Sequence, residues 1–307
     1  MRGLATSFVV LAHYVYYVTR DSQLNTIGPF GTLIKWTGGV GVMIFFFLSG
    51  YALWRSYAGR PMKWNFLYKR FIRLVPMLVG LRLMLGWIEF DFTSGNDFFM
   101  FIKYAVDIRA HWFVEEILII YILFFITFKV SHRHMITMMA IALLMMSYLY
   151  YANGFNERYY NANILFVCGL ATAKHWQKIA ALYQKHFKAM IAAGLISFLL
   201  FSGLFTFFKG NSDLSVILKP IAGSGLMMIM MGLNMYFSWN SRLLAKIGEM
   251  SLQVYVAHIL IWLITISFAG NMPISICFMV ALSLTFMISR GAFAVDSYVQ
   301  GKLKISR

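Results

Sequence analysis

Residues 2–13 read RGLATSFVVLAH, an apolar run with an arginine at one end and a histidine at the other. Similar apolar runs recur along the 307 residues, of which 60% are hydrophobic and only 12% are charged. Soluble domains carry about 25% charged residues, so this composition excludes a soluble protein. Each run comes near the ~20 residues that a helix needs to cross a bilayer, whereas a membrane barrel would show short alternating segments.

The apolar runs predict an all-α membrane protein, a bundle of ten transmembrane helices in one domain that covers residues 1–307. The first run is not followed by a cleavage site of small residues, so we interpret it as a span and not as a signal peptide. The predicted spans cover residues 4–18, 38–54, 74–90, 111–128, 135–151, 162–173, 189–208, 216–237, 247–268 and 273–290.

Basic residues are distributed unevenly between the two sides that these spans define. If the N-terminus is inside, 19 of the 27 lysines and arginines fall on the inner side and 7 on the outer side. Cytoplasmic loops of membrane proteins are enriched in basic residues, so we predict that both termini are cytoplasmic. The net charge of +16 then reflects topology, and without a basic soluble face it does not indicate binding to nucleic acid.

Ionisable side chains inside apolar runs are functional candidates, because a charge near the bilayer centre costs about 2.5–3.5 kcal/mol on insertion scales. His13 follows Arg2 by eleven residues, which places both on nearly the same helix face, about 16 Å apart. Histidine suits acid–base catalysis near neutral pH, but a hydrogen-bonded packing role explains it equally well. His258 in SLQVYVAHILIW (251–262), where packing is favoured, and Arg82 in span three are further candidates.

Two arginines stand at the inner end of span three, in YKRFIRLVP (68–76). Arg70 and Arg73 are three residues apart and therefore neighbours on one helix face. An interfacial anchor is the simpler interpretation of such a pair. The alternative is a fork for a phosphorylated ligand, because arginine binds phosphate oxygens in a bidentate manner.

A pair of carboxylates lies about one turn inside the outer end of span four, in HWFVEEILIIY (111–121). Glu115 and Glu116 point about 100° apart, so one can reach solvent while the other faces the bundle. A carboxylate that faces inward can orient a histidine or bind a sugar hydroxyl. Trp112 fits an aromatic belt at the membrane interface.

Glycines and cysteines in the spans favour packing over ligand binding. The run GGVGVMIFFFLSGYAL (38–53) resembles a phosphate loop only superficially, because no strand precedes it, and we interpret its glycines as sites of close helix packing. Cys168 and Cys277 lie in different spans without the spacing of metal ligands. We therefore expect two buried thiols and no metal site.

Five of these stretches, taken in order, resemble the integral-membrane acyltransferase 3 family, which includes bacterial O-antigen and exopolysaccharide O-acyltransferases. RGLATSFVVLAH resembles the opening motif of arginine, ten residues and histidine, and GVMIFFFLSGYAL resembles the second-helix motif. KRFIRLVP resembles an R-x-x-R motif followed by proline, and HWFVEEILIIY the Trp-Phe fourth helix. IGEMSLQVYVAH resembles a late Ser-x-x-x-Tyr-x-x-His helix, so the resemblance extends over nearly the whole chain.

The resemblance implies an enzyme of the bacterial cytoplasmic (inner) membrane. It would transfer an acyl group, usually acetyl from cytoplasmic acetyl-CoA, to a hydroxyl of a lipopolysaccharide, an exopolysaccharide or another lipid-linked saccharide. Acyl-CoA is then a co-substrate, and no metal is expected. Many members carry Asp where Met43 stands, and we expect a stand-alone member of the family, without an esterase-like domain.

The resemblance also suggests roles for the candidate residues. His13 becomes the catalytic residue, a general base or an acyl carrier. Glu116 or Glu115 would orient the ring or the acceptor. The expected contacts to the nucleotide end of acyl-CoA are Arg2, Arg70 and Arg73. The expected contacts to the saccharide are Trp112 and His258.

A different class of protein fits part of the same pattern. In a non-enzymatic transporter or flippase of a glycan or lipid, membrane charges line a translocation path. That alternative explains His13 and the two glutamates, but it leaves the arginine pair as a topology signal only.

Overall fold

The computed structural model describes residues 1–21, 28–89, 95–107, 112–208, 212–237, 241–269 and 273–302. These residues are helical almost throughout and include no strand, which confirms the predicted all-α class. Besides a 3₁₀ turn at Glu157–Tyr159, they form the helices α1 Arg2–Asp21, α2 Gly28–Tyr57, α3 Asn65–Glu89, α4 Gly95–Val106, α5 Trp112–Val130, α6 Met135–Ala152, α7 Ile164–Lys174, α8 Trp176–Phe207, α9 Ser212–Tyr236, α10 Arg242–Glu249, α11 Ser251–Ala269 and α12 Ile274–Lys302.

Several helices are long and apolar enough to cross a membrane. Counted over the described residues, five qualify: Thr37–Tyr57, Met135–Ala152, Trp176–Phe207, Val216–Tyr236 and Ser275–Lys302. A sixth is added if α10 and α11, which meet at an angle of 82°, form one broken span. The chain is therefore a multi-pass membrane protein. The predicted number of ten spans is not confirmed, and the predicted orientation of the termini stays a prediction.

Each predicted span nevertheless overlaps a helix, and the difference in number has a physical cause. Four of the helices, α1, α3, α5 and α7, are more polar or shorter than a self-sufficient span. α5 carries Glu115, Glu116 and Lys129 within nineteen residues. α7 has only eleven residues, which cover about 16 Å, or roughly half of a bilayer core.

The chain forms two compact units and passes between them four times: within α2, between α2 and α3, within α5, and just before α10. The first unit comprises Met1–Gly41, Asn65–Leu118 and Arg242–Arg307, and the second comprises Val42–Trp64 and Ile119–Ser241. The single domain over residues 1–307 stays a prediction. The candidate active site lies in the first unit.

In the first unit, α1 packs against α11 and α12 through a buried aromatic pair. Tyr14 and Trp262 are each only 1% exposed, and their ring centroids lie 4.8 Å apart. The hydroxyl groups of Tyr14 and Thr285 share a hydrogen bond of 2.7 Å. This bond satisfies the polar end of a buried tyrosine and fixes the rotation of α1 next to His13.

The short helix α10 was not predicted, because its residues were divided between a loop and the span at 247–268. Its apolar and charged residues fall on opposite faces, as in a helix that lies on a surface. α10 packs on the start of α1, where a Cβ atom on Gly3 would overlap the carbonyl oxygen of Leu244. Only glycine allows this close approach.

Glycines also mediate close packing in the second unit, which confirms the predicted packing role for Gly50 of the second span. A Cβ atom on Gly50 of α2 would overlap the carbonyl oxygen of Phe166, and one on Gly169 of α7 would overlap that of Phe47. The two backbones are therefore in reciprocal contact, as at other small-residue crossings of membrane helices. In the same unit, α8 is interrupted by a non-helical residue, His186 (φ −129°, ψ 37°), just before the predicted span at 189–208.

Candidate active site

His13 lies in the middle of α1, on the side that faces α11. Its ring is half-buried. The Nδ1 atom lies 3.0 Å from the carbonyl oxygen of Val9, one turn earlier in the same helix. The ring is therefore held by its own helix and is directed at a neighbouring helix.

His258 of α11 is the partner of His13. Its side chain is fully buried (0% exposed), and its Nε2 atom lies 3.2 Å from Nδ1 of His13. The two ring centroids are 5.0 Å apart, with 51° between the ring planes. The Nδ1 atom of His258 lies 3.0 Å from the carbonyl oxygen of Val254, again one turn earlier. The structure thus joins the two candidate histidines, which are 245 residues apart in the chain.

The two carbonyl contacts determine where the protons of a neutral pair lie. A carbonyl oxygen only accepts, so Nδ1 of each ring must carry the hydrogen. Nε2 of His258 is then an unprotonated acceptor, and the Nδ1–H group of His13 is shared between it and the carbonyl of Val9. Consequently the lone pair of His13 lies on Nε2, for which the described residues supply no hydrogen-bond partner. This is the protonation state that a general base requires.

Tyr255 connects the histidine pair to α5 and α3. Its ring centroid lies 5.9 Å from that of His258 and 5.3 Å from that of Phe113, at the start of α5. Tyr255 also packs against a buried cluster that contains Leu78 and Val114. The site is therefore surrounded by four helices of the first unit: α1, α3, α5 and α11.

The two glutamates of α5 differ in burial, as the sequence indicated. Glu116 is fully buried (0% exposed), whereas Glu115 and Trp112 are half-buried. The ring of Trp112 contacts that of Phe113, with 6.0 Å between centroids. Of the two carboxylates, Glu116 is thus the one inside the protein, on the same helix as the Phe113 contact to Tyr255.

The arginines lie at the starts of α1 and α3. Arg2 is exposed, next to Gly248 of α10. Arg70 and Arg73 are half-buried, and the guanidinium carbon of Arg70 lies 5.4 Å from the ring centre of Phe66, one turn earlier. Arginine can stack on an aromatic ring and still present its N–H groups to a phosphate.

In the described part of the chain, no three His, Cys, Asp or Glu side chains lie close enough together to hold a metal ion. Cys277 is buried and Cys168 is half-buried, and both are free thiols. The chemistry available at the site is that of imidazole, carboxylate and guanidinium groups.

Comparison with known families decides the class of this site. The model of an acyltransferase domain, acyltransferase 3, matches residues 1–289. The chain belongs to the acyltransferase 3 family. No curated protein and no solved structure matches it. Membership makes the chain a membrane acyltransferase in general terms, without defining its donor or acceptor.

In this acyltransferase 3 protein, four of the motifs noted in the sequence converge in the first unit. His13 comes from the opening motif, Tyr255 and His258 come from the late motif, and Phe113 comes from the Trp-Phe motif. Leu74, which directly follows the R-x-x-R motif, packs against the same cluster as Tyr255. Met43, where many members carry Asp, instead packs in the second unit, where a Cβ atom on Gly223 would lie 2.8 Å from its sulfur.

Sequence reasoning missed the direct contact between the histidines and the connecting role of Tyr255. The sequence did contain a signal for the histidine contact. Buried polar side chains of membrane helices form hydrogen bonds with one another, and each predicted span contains few polar side chains that could be the partner of His13. The predicted substrate contact of His258 is untested, and its burial beside His13 suggests another role.

Proposed function

We propose that this acyltransferase moves an acyl group, in the simplest case acetyl, from cytoplasmic acyl-CoA to a hydroxyl of a cell-surface or lipid-linked glycan. The observation that carries the proposal is the position of two hydrogen-bond acceptors next to Nδ1 of His13. Its Nδ1–H group has two acceptors, Val9 and His258, so its Nε2 lone pair is available to remove a proton.

In the proposed reaction, Nε2 of His13 takes the proton of the acceptor hydroxyl while the hydroxyl oxygen attacks the thioester carbonyl. The C–S bond then breaks, and the departing coenzyme A thiolate receives that proton from the imidazolium. In a variant, Nε2 itself attacks the thioester and the C–S bond breaks to release coenzyme A thiolate. The acyl-imidazolium then passes the acyl group to the hydroxyl oxygen, and the thiolate receives the hydroxyl proton. Both routes need the same neutral tautomer.

His258 is proposed to act as a positioning residue. When His13 becomes cationic, its Nδ1–H bond to Nε2 of His258 becomes a charge-assisted hydrogen bond. The carbonyl of Val254 holds the ring of His258 in the accepting orientation. This arrangement resembles the third member of a catalytic triad, with a neutral imidazole in place of a carboxylate.

Substrate contacts are proposed from burial and charge. Arg70 and Arg73 would bind phosphate oxygens at the nucleotide end of acyl-CoA, and Arg2 would add charge at the start of α1. Glu116 would orient the acceptor hydroxyl or the His13 ring. Glu115 and Trp112, both half-buried, are proposed to contact the saccharide.

This scheme requires the predicted orientation, with both termini in the cytoplasm and the protein in the bacterial inner membrane. The starts of α1 and α3 then face the cytoplasm, where acyl-CoA is found. The asymmetry of basic residues supports that orientation.

The test is transfer of label from radiolabelled acetyl-CoA to a glycan fraction by the protein reconstituted in liposomes. We expect His13→Gln and His13→Ala to reduce transfer by about 10²–10⁴-fold, which is the usual contribution of a general base. Both variants should insert and purify normally. Undiminished transfer by either variant contradicts the role of His13, and no transfer by the parent, with export of an unmodified glycan, favours a transporter.

A further inference from the structure

The short helix α10 is nearly perpendicular to the helices that it adjoins in the first unit. It makes an angle of 82° with α11. α11 packs along α12, and Ser275–Lys302 of α12 is long and apolar enough to cross a membrane. α10 therefore lies close to the plane of the membrane surface. Because it packs on the start of α1 at Gly3, this surface is the cytoplasmic one in the predicted orientation.

One edge of α10 is covered by α1, at Leu244, and the other edge is open. On the open edge, Leu243 is 59% exposed, and Arg242 and Lys246 are exposed as well. Lys246 follows Leu243 by three residues and Arg242 by four, so the three side chains are neighbours on the helix surface. An exposed leucine beside two cations is typical of a helix that rests on a bilayer.

The end of α12 marks the depth of the membrane surface independently. Nε2 of Gln253, near the start of α11, donates to Oδ2 of Asp296 at 3.1 Å, so this part of α12 lies beside the bend between α10 and α11. Tyr298 follows two residues later and is 67% exposed, and Nζ of Lys302 lies 5.7 Å from the centre of its ring. Exposed tyrosine and lysine are typical of the level where lipid headgroups meet the hydrocarbon. α10 is therefore at headgroup depth.

The charge around α10 indicates which headgroups bind. α10 carries two exposed cations, Arg242 and Lys246, and one exposed acidic residue, Glu249. Arg2, which is also exposed, adds a third cation next to the helix. A basic surface at headgroup depth attracts lipids with a net negative charge in preference to zwitterionic lipids. Leu243 adds an apolar contact that a soluble anion cannot use.

We propose that the open edge of α10, formed by Arg242, Leu243 and Lys246, binds the headgroups of anionic phospholipids. The partner is a lipid of the surrounding leaflet and not a substrate, so the inference does not depend on the proposed reaction. Because α10 contacts the base of α1 and adjoins α11, lipid bound at this edge stabilises the part of the first unit that carries the two histidines.

The experiment measures lipid contact at α10 directly. A bimane fluorophore is attached to Leu243→Cys in a Cys168→Ser, Cys277→Ala background, and the full chain is placed in phosphatidylcholine nanodiscs. The quencher is a nitroxide on an acyl chain near the headgroup, carried either by phosphatidylglycerol or by phosphatidylcholine at equal mole fraction. We expect phosphatidylglycerol to quench the fluorophore about twofold or more strongly than phosphatidylcholine. Equal quenching would overturn the inference.

Removal of the two cations of α10 should abolish this preference. In Arg242→Gln/Lys246→Gln, quenching by the two lipids should become nearly equal. Arg60→Gln/Lys63→Gln is the matched control, because it removes the same charge from exposed positions before α3, and it should keep the preference. An equal loss in both double variants would make the preference a property of the overall charge and overturn the inference.

Two further measurements separate lipid from other anions, and the second needs no substitution. If saturating coenzyme A removes the preference for phosphatidylglycerol, the cations of α10 serve the co-substrate and the inference is overturned. In the parent chain, addition of phosphatidylglycerol to about 30 mol% should raise the apparent melting temperature by a few degrees. Salt at about 0.5 M should cancel most of this rise, because it screens exposed charges. A melting temperature that does not respond to phosphatidylglycerol would overturn the inference even if the labelled variants fail to fold.

Discussion

Nε2 of His258 lies 3.2 Å from Nδ1 of His13, and this contact makes one imidazole the hydrogen-bond acceptor of the other. The direction of the bond is fixed because Nδ1 of His258 must donate to the carbonyl of Val254. A fully buried histidine thereby accepts a hydrogen bond from a half-buried one.

Replacement of His258 by glutamine or methionine separates hydrogen bonding from packing. Glutamine places an acceptor oxygen near the position of Nε2, whereas methionine has a similar size and offers only a weak acceptor. Loss of one buried hydrogen bond costs about 1–3 kcal/mol, so kcat of His258→Met should fall roughly ten- to hundredfold. His258→Gln should retain most of kcat, and KM for acyl-CoA should stay constant in both. Equal kcat values in the two variants would leave His258 with a packing role only.

The glutamates of α5 should differ in their effect on activity. Glu116 is fully buried and Glu115 is half-buried, so Glu116→Gln replaces an ionisable group in the protein interior by a neutral one of the same shape. We expect Glu116→Gln to lower kcat by about tenfold or more, and Glu115→Gln to change it by less than about threefold. The kcat of both variants is measured as acyl transfer at saturating acyl-CoA. A larger loss of kcat in Glu115→Gln than in Glu116→Gln would assign the orienting role to Glu115 instead.

The arginine pair of α3 should be sensitive to the shape of the cation and not only to its charge. Arg70→Lys and Arg73→Lys preserve the charge but lose bidentate binding of phosphate. Each should weaken the affinity for coenzyme A by about three- to tenfold in equilibrium dialysis. Arg60→Lys, at an exposed position before α3, is the control. If neither pair variant differs from the control, Arg70 and Arg73 serve as interfacial anchors.

The contact between α1 and α10 should not tolerate a methyl group. Gly3→Ala would place a Cβ atom against the carbonyl oxygen of Leu244, and such overpacking usually costs about 1–3 kcal/mol. The apparent melting temperature in detergent should fall. Gly39→Ala is the control, because a Cβ atom at Gly39 has no neighbour within 4 Å among the described residues. It should leave the melting temperature unchanged or raise it, and a similar loss in both variants would contradict the packing argument.

Helix positions could be predicted from the sequence because apolar length is a local property of the chain. All ten predicted spans overlap helices, and three glycines of the second span, Gly38, Gly41 and Gly50, pack closely as expected, whereas Gly39 has no neighbour within 4 Å among the described residues. The number of self-sufficient spans could not be predicted in the same way. Helices such as α7 are too short to cross a membrane alone, and their place depends on neighbouring helices, which residue counts do not reveal.

The candidate residues could also be predicted one by one, because ionisable groups in apolar helices are rare. Their pairing could not be predicted. Helical periodicity gives the face on which His13 and His258 lie, but not which helix that face meets. The same limit applies to Arg82: its depth follows from counting residues, whereas its contact with Tyr104 depends on α4, a helix that was not predicted.

Gly3 and the bend between α10 and α11 have a mechanical consequence. The base of α1 is seated on α10, and α10 continues through Met250 into α11. The helices that carry the two imidazoles, α1 and α11, are therefore both attached to α10. A displacement of α10 would thus move α1 and α11 together and preserve the distance between the two rings.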